Sequence, residues 1–282
     1  MSFSIPSSAA SASESDIGRT QLKETVKARR TPKLVNPTLV AAWPGVGNVA
    51  LIAATYLKDK LKAKPLGELD PQGFFDLGGV FIKDNLIEMP DFPHSAFYYW
   101  KRRNKGNDLL IFLSEAQPSF GAYEYVNKVL DIAESFGVGR VYTLAAAVTE
   151  HHPDEPRVLG AATSPELLNE LKAYNVVLAG DFYVAGLNGL LLGAAQERGL
   201  EGICMLGETV KYAAKLANPR SSQAVLEVLT RLLGVKIDMS ELKEFAEGTE
   251  KQLRQIGDEV RKEYLQHFTR PIWEREEHEE NG

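Results

Sequence analysis

The sequence predicts an α/β fold, a mostly parallel mixed sheet covered by helices on both faces. Three observations predict it. Short apolar runs recur along the chain, among them NDLLIFLSE, GRVYTLAAAV and GICMLG. Segments with apolar residues at helical spacing lie between them. The breaks carry cap and stop chemistry, as in Ser164-Pro165-Glu166, Asn218-Pro219, Gly137 and Gly234. Strands that alternate with helices run parallel and are buried on both sides. The 282 residues are 44% hydrophobic and 25% charged, enough for one large soluble core.

Each element follows in order. PTLVAAW reads as a buried strand, and VALIAATYLKDKL as a helix with Leu51, Ala54, Tyr56, Leu57 and Leu61 on its apolar face. GVFIK and LIEMP flank Asp84-Asn85, a hairpin signal that gives the sheet antiparallel character. SAFYYW is an aromatic strand, and NDLLIFLSE a buried one. Ser119 can cap the helix that runs through YEYVNKVLDIAESF and stops at Gly137. GRVYTLAAAV is the next strand. Ser164, with proline at the first helical position, opens LLNELKAY. VVLAGDF is weakly strand-like. Asn188-Gly189 precedes the helix LLLGAAQER, which ends at Gly199, and GICMLG is a buried strand. Asn218-Pro219 opens SSQAVLEVLTRLL, ending at Gly234, and Asp238-x-x-Glu241 resembles a capping box for a long last helix.

The ends differ from this core. MSFSIPSSAASASES is rich in Ser and Ala and has no apolar targeting core, so residues 1–33 read as a disordered tail. The organisation expected is a core over 34–237, a helical segment over 238–270 and an acidic tail over 271–282. A net charge of −6 gives no general basic face for nucleic acid. No run is apolar and long enough to span a bilayer. The single cysteine, Cys204 in GICMLG, forms no internal disulfide, reads as a buried inert thiol and fits a reducing cytoplasm.

Candidate chemistry begins at AAWPGVGNVA. Gly45-x-Gly47-x-x-Ala50 has the spacing of a dinucleotide-binding turn, with Glu68 and Asp70 near the distance of a ribose-binding carboxylate. The same turn is also a tight strand-to-helix connection, and Pro44 and the poor strand character around Glu68 favour that reading. In EHHPDEP, His151, His152, Asp154 and Glu155 have metal-binding side chains. Adjacent loop residues do not reproduce the separated ligands of zinc motifs, and the stretch reads as a polar loop. There is no GxSxG elbow and no GxxxxGK[ST] loop. No catalytic residue, metal or cofactor is assigned. A candidate pocket gathers Gly45, Val46, Gly47, Asn48, Gln117, Asn188, Gly189 and Glu208 at strand ends and helix starts. It leaves open an enzyme of hydrolase or ATP-dependent ligase kind.

Two surfaces are candidates for assembly. Phe97, Tyr98, Tyr99 and Trp100 put bulky groups on both faces of one strand, so both faces are expected to meet protein. The last helix carries Leu242, Phe245, Ala246, Leu253, Ile256, Val260, Tyr264 and Phe268 in one amphipathic stripe. That stripe fits either its own domain or a partner, and Gly248 and Gly257 weaken the helix.

Taken together, WPGVGNVALIAATYL, GVFIKDNLIEMP, FYYW, NDLLIFLSEAQP, HPDEPRVLGAAT, GLNGLLLGAA, CMLGET and NPRSSQAVLEVLTRLLGVKIDMSEL resemble, in order and spacing, the proteasome assembly chaperone family of the second-chaperone type, in its bacterial and archaeal branch. The resemblance covers roughly residues 35–265. It implies a three-layer αβα sandwich of the phosphorylase/hydrolase-like kind. It also implies a non-catalytic cytoplasmic homo-oligomer, trimer favoured, that binds proteins, proteasome subunits among them. Members carry a glycine-rich turn at the place of Gly45–Asn48 without being known dehydrogenases. Proteasome-activating partners often end in a hydrophobic–tyrosine–any tripeptide. This sequence ends Glu280-Asn281-Gly282, so that mode of docking is not expected.

Overall fold

The computed structural model describes residues 32–150, 152–153, 155–178 and 180–269, with the side chains of 260, 261 and 263–269 excepted. The expected tails therefore lie outside the described residues, apart from 32 and 33. So do His151, Asp154 and the side chains of Val260, Tyr264 and Phe268.

The strands are β1 (Thr38–Ala42), β2 (Lys64–Glu68), β3 (Phe81–Lys83), β4 (Leu86–Glu88), β5 (Ser95–Trp100), β6 (Leu109–Ser114), β7 (Arg140–Thr149), β8 (Val158–Ala162) and β9 (Glu201–Val210). The helices are α1 (Val49–Lys60), α2 (Ala122–Ser135), α3 (Pro165–Lys172), α4 (Leu187–Glu197), α5 (Pro219–Leu233) and α6 (Ser240–Thr269). Seven strands form one sheet in the order β2-β5-β6-β1-β7-β9-β8. The four central strands β6, β1, β7 and β9 are parallel, with Leu39 opposite Leu110 and Tyr142 opposite Ile203.

Antiparallel character comes from both flanks, where β2 pairs with β5, β5 with β6, and β8 with β9. It does not come from the hairpin, as the sequence suggested. β3 and β4 turn at Asp84 and Asn85, both at positive φ, and form a separate two-stranded sheet. Two strands are additions to the sequence reading. β2 is hidden in KPLGE by its proline and glycine, and β8 in VLGAA by small residues. VVLAGDF contributes only an isolated bridge from Val177 to Leu159.

Alternation along each strand sorts the core into two layers. On one face Leu39, Ala41, Phe97 and Phe112 pack with Tyr125, Val129 and Leu130 of α2 and Leu191 and Ala195 of α4. On the other, Val40, Ala42, Ile111 and Met205 meet α1, α3, α5 and Leu242 of α6. The apolar face of α1 is Val49, Ala50, Ala53, Ala54 and Leu57. Leu51, Tyr56 and Leu61, which periodicity put on that face, lie at its margin, half-buried.

The caps show where local chemistry decides. Ser164 Oγ accepts from the Leu167 N–H at 3.4 Å, and Asn218 Oδ1 from the Ser221 N–H at 3.0 Å, as expected. Ser119 does not cap α2; Gly121 holds that position in the left-handed region. Ser119 Oγ instead accepts from the Asp76 N–H at 3.4 Å, while the Ser119 and Phe120 N–H groups donate to the Phe74 carbonyl. Asp238 accepts from the Ser240 N–H at 3.0 Å, and Glu241 reaches Lys60 at 2.7 Å. That is a turn followed by an ion pair, in place of a capping box.

Candidate functional site

The carboxyl ends of the parallel strands converge on a cleft of about 640 Å³. β1 runs into Gly45 and Val46 at its rim, and β6 into Gln117. β7 supplies Ala145–Val148, and the start of α4 supplies Gly186 and Asn188. The loop of Phe182, Tyr183, Val184 and Ala185 forms the opposite wall, with Leu159 and Leu206 beneath. The chain crosses from β6 on one side of β1 to β7 on the other. A crevice outside the strand ends at such a crossing is the usual ligand position in open α/β sheets.

The cleft exists because its walls are small. Three alanines follow one another where β7 leaves the core, and Gly186, at φ 77°, lets the backbone turn into α4. A Cβ at Gly186 would press on the Gln117 amide, 3.0 Å from Oε1. Gln117 Nε2 donates to the Pro44 carbonyl at 2.8 Å, which fixes the rim between β1 and β6. Tyr183, 90% exposed, is the one titratable side chain among the described lining residues. Besides its hydroxyl, the polar side chains there are Gln117 and Asn188, both neutral amides. The arrangement suits an apolar, uncharged occupant.

Four of the eight predicted pocket residues, Gly45, Val46, Gln117 and Asn188, line this cleft. The other four have different duties. Gly47 sits at φ 62°, and a Cβ there would stand 3.0 Å from Asn218 Cβ. Its N–H donates to Ala214 O at 2.9 Å and its carbonyl accepts from the Asn218 N–H at 2.8 Å. It pins the turn to the start of α5. Asn48 is exposed in the left-handed region, and its N–H donates to Gly45 O at 2.9 Å. Two N–H groups that a phosphate cradle would need are thus engaged within the chain.

Gly189 lies inside the first turn of α4, where a Cβ would collide with the Val184 carbonyl oxygen. Asn188 and Gly189 therefore belong to the helix and do not precede it. Glu208 is buried and takes the Arg157 guanidinium, with Nε at 2.9 Å, and the Arg157 N–H at 3.0 Å. Burial pushes its carboxyl up, but the bonds from Arg157 outweigh burial and hold it below its ordinary value. Glu208 joins β8 to β9 and does not line the cleft.

The carboxylates of the dinucleotide reading are also placed elsewhere. β2, which ends in Glu68, is the far edge strand, separated from β1 by β5 and β6. Glu68 Oε2 meets His94 Nδ1 at 3.2 Å. Ser114 is held in a buried cluster, with Ser95 Oγ at 2.9 Å and the Tyr125 hydroxyl donating to Ser95 at 2.6 Å. His152 of the polar loop bonds Tyr212 at 3.0 Å and Glu250 of α6 at 2.7 Å, tying the loop to the last helix.

The predicted assembly residues are partly consumed by the chain itself. Phe97 is fully buried against Phe112, with ring centroids 4.6 Å apart, which leaves it no surface for a partner. Tyr98, Tyr99 and Trp100 are half-buried on the two core layers. Leu253 is buried against Val210 and Ala213, while Ile256 is half-exposed. Sequence reasoning missed the Ala145–Val148 and Phe182–Ala185 walls. The run of small residues at a strand end, and aromatics in a glycine-bounded loop, were the signals available.

A family profile, that of the PAC2 family, matches residues 39–256. The protein MJ1210 of Methanocaldococcus jannaschii is 31% identical over 82% of this chain and 87% of its own length. Among solved structures, Pyrococcus furiosus PbaB, an archaeal proteasome activator, is 32% identical with a TM-score of 0.71, covering 81% of this chain and 96% of that one. Pyrococcus furiosus PbaA, an archaeal homolog of proteasome-assembly chaperone, is 26% identical with a TM-score of 0.62, over 83% and 97%.

Proposed function

The chain belongs to the PAC2 family, and from that premise we propose that it is a non-catalytic, protein-binding homo-oligomer that acts in the manner of an assembly chaperone. The observation that carries this reading is the likeness to the archaeal proteasome activator PbaB, 32% identical across 81% of this chain. Proteasome subunits are accordingly the partners proposed. The cytoplasm is the compartment proposed, in keeping with a single thiol at Cys204. No helix of the described residues is long and apolar enough to cross a membrane.

The cleft supports binding over catalysis. Its lining is apolar with two neutral amides, a surface suited to protein side chains. The predicted pocket residues that line it, Gly45, Val46, Gln117 and Asn188, are proposed as contact residues. The half-exposed Ile256 and the following turns of α6, with Val260, Tyr264 and Phe268, are proposed as a further contact surface.

The test is co-elution of the purified chain with core proteasome particles and free α subunits from the same source. A complex with either supports the reading. Free elution from both, at tens of micromolar, removes the proteasome as partner.

A further inference from the structure

The β3–β4 hairpin is the most exposed apolar feature of the described chain. Val80, Phe81, Ile82, Leu86, Ile87 and Met89 are each between 47% and 71% exposed, so neither face of the hairpin rests on the body. Phe81 pairs with Glu88, Ile82 with Ile87 and Lys83 with Leu86. Strand alternation then places Val80, Ile82, Ile87 and Met89 on one face, without a charge among them. The other face carries Phe81, Lys83, Leu86 and Glu88. Six side chains at that exposure present on the order of 600 Å² over the two faces together, against the ~800 Å² each partner buries in a standard interface. A lone two-stranded hairpin is marginally stable in water. Covering this one would therefore stabilise it.

The same chain holds a matching surface. The cleft at the strand ends is apolar, and no charged side chain lines it among the described residues. Its rim exposes Val148, Phe182 and Tyr183. Hairpin and cleft lie at the same end of the sheet, because β5 begins at Ser95 opposite Ser114, where β6 ends. They occupy different places there. The hairpin is tethered between β2 and β5 at one edge, and the cleft lies over the ends of β6, β1, β7 and β9. A projecting element on one side and a receptacle on the other make a heterologous contact, which closes into a ring when the rotation permits.

We propose that the apolar face of the β3–β4 hairpin of one copy seats in the cleft of the next, and that this contact builds the oligomer. The inference rests on the self-association reading above and names its contact. The occupant is a second copy because its uncharged, protruding face matches the cleft in chemistry, and both surfaces are exposed on every copy.

Cysteine trapping tests it. Cys204 is fully buried, so introduced thiols are the reactive ones. Ile87→Cys and Val148→Cys fall on exposed side chains and leave the core intact, which circular dichroism checks. Mild oxidation of the double variant should give covalent species at multiples of 31.1 kDa, and neither single variant should. Ile82→Asp with Ile87→Asp should lower the mass by light scattering to that of one chain. Covalent dimers from Ile87→Cys alone would mean hairpin-on-hairpin pairing, and an internal disulfide at monomer mass would mean a lid over its own cleft; either overturns the proposal. An oligomer that neither crosslinks nor dissociates overturns this contact while leaving self-association standing. A wild-type monomer at tens of micromolar overturns both.

Discussion

Gly47 carries the strongest single-residue constraint at the glycine-rich turn. Its positive φ disfavours any side chain, and its Cβ position is filled by Asn218 and Thr209. Gly47→Val should lower stability by about 2–4 kcal/mol, from backbone strain and overpacking together. Chemical denaturation measures it. NAD and ATP should give no thermal shift, because the Gly47 and Asn48 N–H groups already donate to carbonyls of the chain. Glu208 predicts a pH dependence. Its carboxyl is held below the ordinary 4.5 by Arg157, so its ionised form favours folding. That contribution is present above about pH 4.5 and fades as pH falls through the depressed folded value. Glu208→Gln should therefore cost about 1–2 kcal/mol at neutral pH, with the difference from wild type shrinking in acid. A difference that grew in acid would contradict the assigned ion pair. Cys204 is fully buried, its thiol pushed up to about 11 by desolvation. It should resist alkylation until the protein unfolds.

At the scale of elements, the last helix separates propensity from packing. Gly248 is exposed with open space around it, whereas a Cβ at Gly257 would collide with the Tyr212 hydroxyl. That hydroxyl donates to the Leu253 carbonyl at 3.2 Å and bonds His152. Gly248→Ala should raise stability by about 1 kcal/mol. Gly257→Ala should gain less or lose stability, because the same propensity benefit is offset by displacing Tyr212. Equal gains in thermal melts would show that Tyr212 does not hold the helix. The elements legible in sequence were those whose signal is local. The apolar runs of β6 and β9 and the caps at Ser164 and Asn218 needed no tertiary information. β2 and β8 were not legible, since their proline, glycine and alanine residues become strands only through pairing with β5 and β9. The site was half legible. Strand ends and helix starts indicated Gly45, Val46, Gln117 and Asn188. Glu208 has the same local setting, yet a partner 51 residues away, Arg157, takes it out of the cleft.

At the scale of the molecule, one end of the sheet carries two different surfaces. One edge projects an apolar hairpin, and the ends of β6, β1, β7 and β9 hold an apolar cleft. A chain so equipped is expected to bind protein on both. Burial of the hairpin would stabilise at about 25 cal/mol per Å² of apolar area before association costs, enough for a stable ring only when several contacts close together. Trimer is the first expectation and dimer the second. The proposed role has two parts, self-association and capture of a proteasome subunit, and native mass spectrometry of the chain mixed with proteasome α subunits reads both at once. The account predicts a multiple of 31.1 kDa for the chain alone and a further, stoichiometric increase when α subunits are added. A species of one chain's mass that stays unchanged in their presence would contradict it.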